Sequence, residues 1–267
     1  MDISHLRGIA LALPVALGLA MFAVPAGSAS ASCPGTSVVE RITFEDSSQG
    51  ATGGYSMYLP ACYSEDESAR YPSVYLLHGL GESDTHWLLM GVQAAADLAI
   101  ARGDIAPMIL VMADGGPSYE PGRDGVSFDD YVLDELVPRV DAAYRTIPSR
   151  DGRAVGGISR GGGRALAITA KAPDMFTAVG GHSPKVEDAE ILAPALARAG
   201  ARVWLDVGDG DYLHDGSITL AALLRATGAP VELHEWPGIH ESAYWMSHVG
   251  HYLAYYDESF RLARAQS

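Results

Sequence analysis

The sequence predicts an α/β domain built on a mostly parallel central sheet with helices on both faces. Three observations carry that expectation. From residue 74 onward, short apolar runs alternate with stretches of helical periodicity. Two β-rich segments precede them and read as an antiparallel hairpin. After residue 32 no internal repeat and no low-complexity tract breaks the pattern.

The hairpin comes first. Segments 38–44 and 55–59 flank the turn-like Ser47-Ser48-Gln49-Gly50 and place antiparallel strands at one edge of the sheet. Residues 74–77 form a buried-strand run, and the Ala-rich segment 92–102 forms a helix. A second apolar strand follows at 108–113. In 128–144, Tyr131, Leu133, Leu136, Val140 and Tyr144 recur at helical spacing. Strand 154–158 and helix 164–171 come next, then strand 178–181 and helix 188–199. The alternation closes with strand 203–207, helix 218–226, strand 231–236 and a helix from 243. Between 181 and 202 there is one helix and little else, which leaves no room for a large lid.

The head of the chain does not read as part of the fold. Residues 9–24 are apolar or small apart from Pro14 and Gly18, and Arg7 precedes them. The run is shorter than the roughly 20 residues needed to span a bilayer. It leads to Ala29-Ser30-Ala31, an A-x-A cleavage pattern. We read 1–31 as a signal peptide and 32–267 as one domain, exported and without stable membrane insertion. The leader carries one acid, Asp2, and one base, Arg7, so the mature chain keeps the net charge of −15. So acidic a chain repels phosphate backbones and anionic lipid, and nucleic acid is not expected as a partner. Hairpin pairing centred near 47–50 brings Cys33 roughly opposite Cys62, and an oxidising compartment makes a disulfide the expected outcome.

The chemistry centres on Gly157-Ile158-Ser159-Arg160-Gly161. A bare G-x-S-x-G has little weight in a chain with 30 glycines. Here it sits between a predicted strand and a predicted helix, the setting of the nucleophile turn of α/β hydrolases. That turn forces the serine into a strained backbone conformation and crowds its neighbours, so both must be small. It also lifts the hydroxyl over the positive end of the new helix. Ser159 is therefore the candidate nucleophile.

A serine needs a base, and the base an orienting acid, in the chain order Ser, Asp or Glu, His. His240 is the only histidine in the loop after the last strand. Asp209 and Asp211 compete as the acid in the loop after strand 203–207, and their chemistry does not separate them. The same acidic loop fails as a calcium site, because Leu213 and Leu220 fall where ligands belong, so neither metal nor cofactor is expected. His78-Gly79-Leu80-Gly81 follows the first parallel strand, where this fold supplies one oxyanion donor. The backbone N–H groups of Leu80 and Arg160 are the candidates. Trp87, Met90, Tyr212 and Trp245 are candidates for lining the site, with core packing the equal alternative.

Taken together these residues resemble the esterase D family of α/β hydrolases. That family includes feruloyl and acetylxylan esterases, enterochelin-type esterases, S-formylglutathione hydrolase and mycolyltransferases. The marks are Tyr71-Pro72 leading to Tyr75-Leu76-Leu77-His78-Gly79, Asp134-Glu135-Leu136-Val137-Pro138 and Asp141-Ala142-Ala143-Tyr144-Arg145-Thr146. Gly157-Ile158-Ser159-Arg160-Gly161-Gly162 and Ala172-Pro173-Asp174-Met175-Phe176 complete them, and the likeness runs from about Tyr58 to Tyr255. The resemblance implies that Ser159 is the nucleophile and His240 the base. It selects Asp211 as the acid, three residues after Gly208, and likens His240 with Trp245 to the family's final His-x4-Trp. One departure is Arg160, where many members carry Met; its side chain is expected to pair with a surface acid, with contact to an anionic or polar substrate group as the alternative. The expected activity is hydrolysis of a small-molecule or polysaccharide-linked ester through an acyl-enzyme. A mycolyltransferase-type acyltransferase and a non-catalytic binding protein on the same scaffold are the alternatives.

Overall fold

A computed structural model describes residues 33–266 apart from 34, 45–46, 50–53 and 66. The leader expected over 1–31 lies outside the described residues. Eight strands form one sheet: β1 Val38–Thr43, β2 Gly54–Leu59, β3 Ser73–Leu77, β4 Ile109–Ala113, β5 Arg153–Ile158, β6 Ala178–His182, β7 Arg202–Gly208 and β8 Val231–Trp236. Their spatial order is β1-β2-β4-β3-β5-β6-β7-β8. β1 pairs antiparallel with β2, and β2 antiparallel with β4; every other pairing is parallel. The hairpin is thus an antiparallel edge on a parallel sheet.

The helices are α1 His86–Leu89, α2 Val92–Arg102, α3 Phe128–Asp130, α4 Val137–Ala143, α5 Arg160–Lys171, α6 Ala189–Ala199, α7 His214–Thr227 and α8 Ser242–Gln266. Strands β3 to β6 are buried along their whole length, as parallel strands covered on both faces must be. Successive side chains of a strand point to opposite faces. On β3, Tyr75 and Leu77 accordingly join one apolar cluster, with Phe128, Leu166 and Leu196. Val74 and Leu76 join the other, with Trp87, Trp204 and Phe260. Cys33 and Cys62 are joined in a disulfide that ties the start of the domain to the end of the hairpin. No helix among the described residues is long and apolar enough to cross a membrane.

Two helices differ from their predicted form. The single helix expected over 128–144 is three consecutive segments, with a π-helical stretch, Tyr131–Leu136, between α3 and α4. Pro138 has no N–H for the carbonyl four residues back and its ring crowds that turn, so a regular α-helix cannot run through it. The helix expected from 164 begins instead at Arg160. Its glycines serve close approach: a Cβ on Gly161 would lie 2.4 Å from the His78 carbonyl oxygen, and one on Gly163 would lie 2.2 Å from that of Lys185.

Candidate active site

β5 runs into α5 through Ser159, which adopts φ 55°, ψ −116°, a region L-residues rarely occupy. Neighbouring chains hold the turn on both sides. The Ser159 N–H donates to the His182 carbonyl at 2.9 Å, and Lys185 N–H donates to the Ser159 carbonyl at 2.8 Å. A Cβ on Gly157 would lie 2.4 Å from the Gly161 carbonyl carbon. Only glycine fits at both flanking positions of the motif.

Two further loops, after β7 and β8, bring up the predicted partners. His240 Nε2 lies 2.8 Å from Ser159 Oγ. His240 Nδ1 lies 2.8 Å and 3.0 Å from the two carboxylate oxygens of Asp211. Asp211 Oδ1 also accepts the Leu213 N–H at 2.8 Å. Burial alone would raise the Asp211 carboxyl. The hydrogen bonds from His240 and Leu213, with the Ser183 hydroxyl nearby, outweigh it and hold the group below its ordinary value. Asp209 takes a different partner: its Oδ1 accepts the Gly238 N–H at 3.0 Å. That contact fixes the loop carrying His240.

The candidate oxyanion loop, His78-Gly79-Leu80-Gly81, is clamped from outside. Tyr119 OH donates to the His78 carbonyl at 2.5 Å, and its ring stacks on His78 at 4.7 Å. His78 Nε2 accepts the Gly115 N–H at 3.1 Å, which leaves Nδ1 to donate to the Gly79 carbonyl at 2.7 Å. Burial pushes the titration of both His78 and His86 down, so both favour the neutral ring. Gly79 N–H donates to His86 Nδ1, and Gly81 N–H to the Pro117 carbonyl at 2.6 Å. The amides on either side of Leu80 are therefore spent. The Leu80 N–H and the first helical N–H, that of Arg160, have no acceptor among the described residues. Tyr119 and His86 are parts of the site that sequence reasoning missed; an aromatic in a long loop gives no local signal.

The four candidate lining residues divide. Tyr212 is 77% exposed, with its ring 4.6 Å from that of His240. Trp245 sets its plane perpendicular to the His240 ring at 4.9 Å and braces the imidazole. Trp87 and Met90 belong to the core instead: Trp87 is 1% exposed and spends its N–H on the Leu77 carbonyl, and Met90 packs in the same apolar cluster. The pairing expected for Arg160 is also corrected. It makes no ion pair among the described residues, and its Nε is buried without a partner. His182, expected just after strand 178–181, is the last residue of β6; it is wholly buried and bonded to Asp206 at 2.7 Å, and only its backbone reaches Ser159. No group of three or more His, Cys, Asp or Glu among the described residues is arranged to hold a metal.

A parallel sheet with a serine on its strand-to-helix turn, followed by an acid and a histidine on later loops, defines the α/β hydrolases. Within that class the profile of the Esterase family, described as putative esterase, matches residues 49–255, and the chain belongs to that family of serine carboxylic ester hydrolases. The endo-1,4-beta-xylanase/feruloyl esterase of Xylanibacter ruminicola is 35% identical over 204 residues, covering 73% of this chain and 28% of that protein. An esterase of Mycobacterium tuberculosis is 32% identical over 146 residues, covering 52% of this chain and 31% of its own. The chain thus spans less than a third of these curated relatives. Among solved structures, a ferulic acid esterase superposes with a TM-score of 0.75 at 25% identity, over 85% of this chain and 100% of that one. The S-formylglutathione hydrolase FrmB of Staphylococcus aureus shares the fold, with a TM-score of 0.69 at 17% identity over 83% and 99% of the two chains.

Proposed function

We propose that this chain is a secreted carboxylesterase that hydrolyses a soluble or carbohydrate-linked ester of the feruloyl or acetyl kind. The observation that carries the reading is the unbroken hydrogen-bond chain Ser159–His240–Asp211. Ser159 Oγ attacks the ester carbonyl as His240 Nε2 takes its proton. Asp211 holds the ring and stabilises the imidazolium. The carbonyl oxygen, now negative, accepts from the Leu80 and Arg160 N–H groups. The imidazolium then gives its proton to the departing alcohol, leaving an acyl-enzyme. Water, deprotonated by the same nitrogen, attacks the acyl carbon; the carbon–Oγ bond breaks, the imidazolium returns its proton to Ser159 Oγ, and the carboxylic acid leaves.

Three features support the substrate side and the location. Exposed Tyr212, Leu80 and Ile239 adjoin the triad and the oxyanion loop and offer an apolar rim for an aryl or acyl group. The relatives include proteins named for feruloyl ester cleavage. The Cys33–Cys62 disulfide suits an oxidising compartment, as does the leader read over 1–31. Against a transferase of the mycolyl kind stands the absence of a large lid segment between 181 and 202 in the sequence. The complete hydrogen-bond chain stands against a purely binding role.

The decisive test is p-nitrophenyl acetate hydrolysis by the protein and by Ser159→Ala. Loss of at least about a thousandfold in kcat is expected, and equal rates would end the esterase reading. A panel of feruloyl esters, run beside a trehalose acceptor assay, then separates hydrolysis from transfer.

A further inference from the structure

Beside the triad, helices α5 and α6 part to leave a groove of about 280 Å³. On α5 it is lined at Arg160, Arg164 and Ala167, which share one helix face. From residue 160 to Ala170 that face runs about 15 Å. On α6 the wall is apolar, including Leu192 and the exposed Ile191. The groove begins one residue from Ser159 and is bounded there by Lys185.

Its charges are committed, with one exception. Lys185 pairs with Glu187 at 3.3 Å, and Arg164 with Asp129 at 3.5 Å. Asp188, also on the wall, caps α6 by accepting the Ile191 N–H. Arg160 alone among these cations has no ion pair among the described residues. Arg160 stands at the residue after Ser159, lines the head of the groove, and has its Nε buried without a hydrogen-bond partner. A planar guanidinium with free donors takes a carboxylate or another oxyanion by paired, charge-assisted hydrogen bonds.

We propose that the ester cleaved at Ser159 carries a second, ionised acid group, which Arg160 receives at the head of the α5–α6 groove. The substrate class is a carboxylic ester bearing a carboxylate near the scissile bond, with apolar atoms following the alanine-lined wall. This rests on the carboxylesterase reading above and goes beyond it, because the family members that carry Met at this position have no cation there.

The test compares matched neutral and anionic esters in the full chain, in Arg160→Met and in Arg160→Lys. p-Nitrophenyl pentanoate is set against mono-p-nitrophenyl glutarate for a charge on the acyl side, and phenyl acetate against m-acetoxybenzoate for a charge on the alcohol side. The readout is the ratio of kcat/KM, anionic over neutral, which cancels any change in the shared oxyanion machinery. In one of the two pairs the ratio is expected to exceed one. It should fall at least about fivefold in Arg160→Met, recover in part in Arg160→Lys, and shrink in the wild type at about 0.5 M salt. Ratios that shift less than this in both pairs overturn the assignment. Hydrolysis of neutral esters no faster than by Ser159→Ala refutes the carboxylesterase reading itself, and the assignment falls with it.

Discussion

Asp209 and Asp211 stand two residues apart after β7 yet serve different partners: Asp211 receives the His240 ring, and Asp209 the Gly238 backbone N–H. Asp211→Asn should lower kcat by about ten-thousandfold, because an amide holds the imidazole in the wrong tautomer. Asp209→Asn keeps an acceptor for Gly238 and should cost far less. Steady-state kinetics on one chromogenic ester checks both, and a larger loss in the Asp209 variant would reverse the assignment.

The acid limb of the pH profile should be a single step. Asp211 has its carboxyl held below the ordinary value in the fold, so it stays ionised to the acid end of the profile. Its stability contribution is present above the unfolded carboxyl value of about 3.9 and is lost as pH falls through the lower folded value. kcat/KM measured downward in pH should fall with unit slope; a second carboxylate step above about pH 4 would contradict the geometry.

His214 shifts in the opposite direction. Hydrogen bonds to Glu235 and Asp215 raise its titration above the ordinary histidine value. A raised histidine adds stability below the unfolded value of about 6.5, and that stability disappears as pH climbs through the folded value. The melting temperature of the wild type should exceed that of His214→Gln at pH 5.5 and match it in mildly alkaline buffer. The difference should be small, since the pair lies in solvent.

Tyr119→Phe removes only the hydroxyl that holds the His78 carbonyl. A buried carbonyl without its donor costs about 1–3 kcal/mol. The loop presenting the Leu80 N–H should loosen, so kcat should drop more than KM rises. Unchanged kcat with normal stability would detach Tyr119 from the site.

Replacing both Cys33 and Cys62 by Ser opens a loop with a sequence separation of 29. Chain-entropy arguments put the loss at about 3.6 kcal/mol, readable as a lower denaturation midpoint.

The strand–helix alternation was legible because parallel strands are apolar throughout and helices keep their own period; β3, β5 and β7 fall where those runs lie. Ser159 and His240 were legible because this fold fixes their chain order. Asp211 was not separable from Asp209 by chemistry, since which carboxylate faces the ring depends on how the β7 and β8 loops meet in space. Arg160 was expected to find an acid, and nothing in the local sequence reveals that Asp129 goes to Arg164 and Glu187 to Lys185. Tyr119 lay in a loop without periodicity, so its contact with His78 could only emerge in three dimensions. The start of α5 was hidden by glycines that normally end helices and here admit neighbouring backbone.

The conformation of Ser159 has a consequence for evolution as well as chemistry. A non-glycine residue at φ 55°, ψ −116° carries about 1–3 kcal/mol of backbone strain. Glycine there would relieve it against an entropic cost of about 0.5–1 kcal/mol. Ser159→Gly should therefore melt at or above the wild-type temperature while losing its nucleophile. On the function proposed above, selection for foldability alone would favour that inert form, and the serine is kept at a cost in stability for turnover.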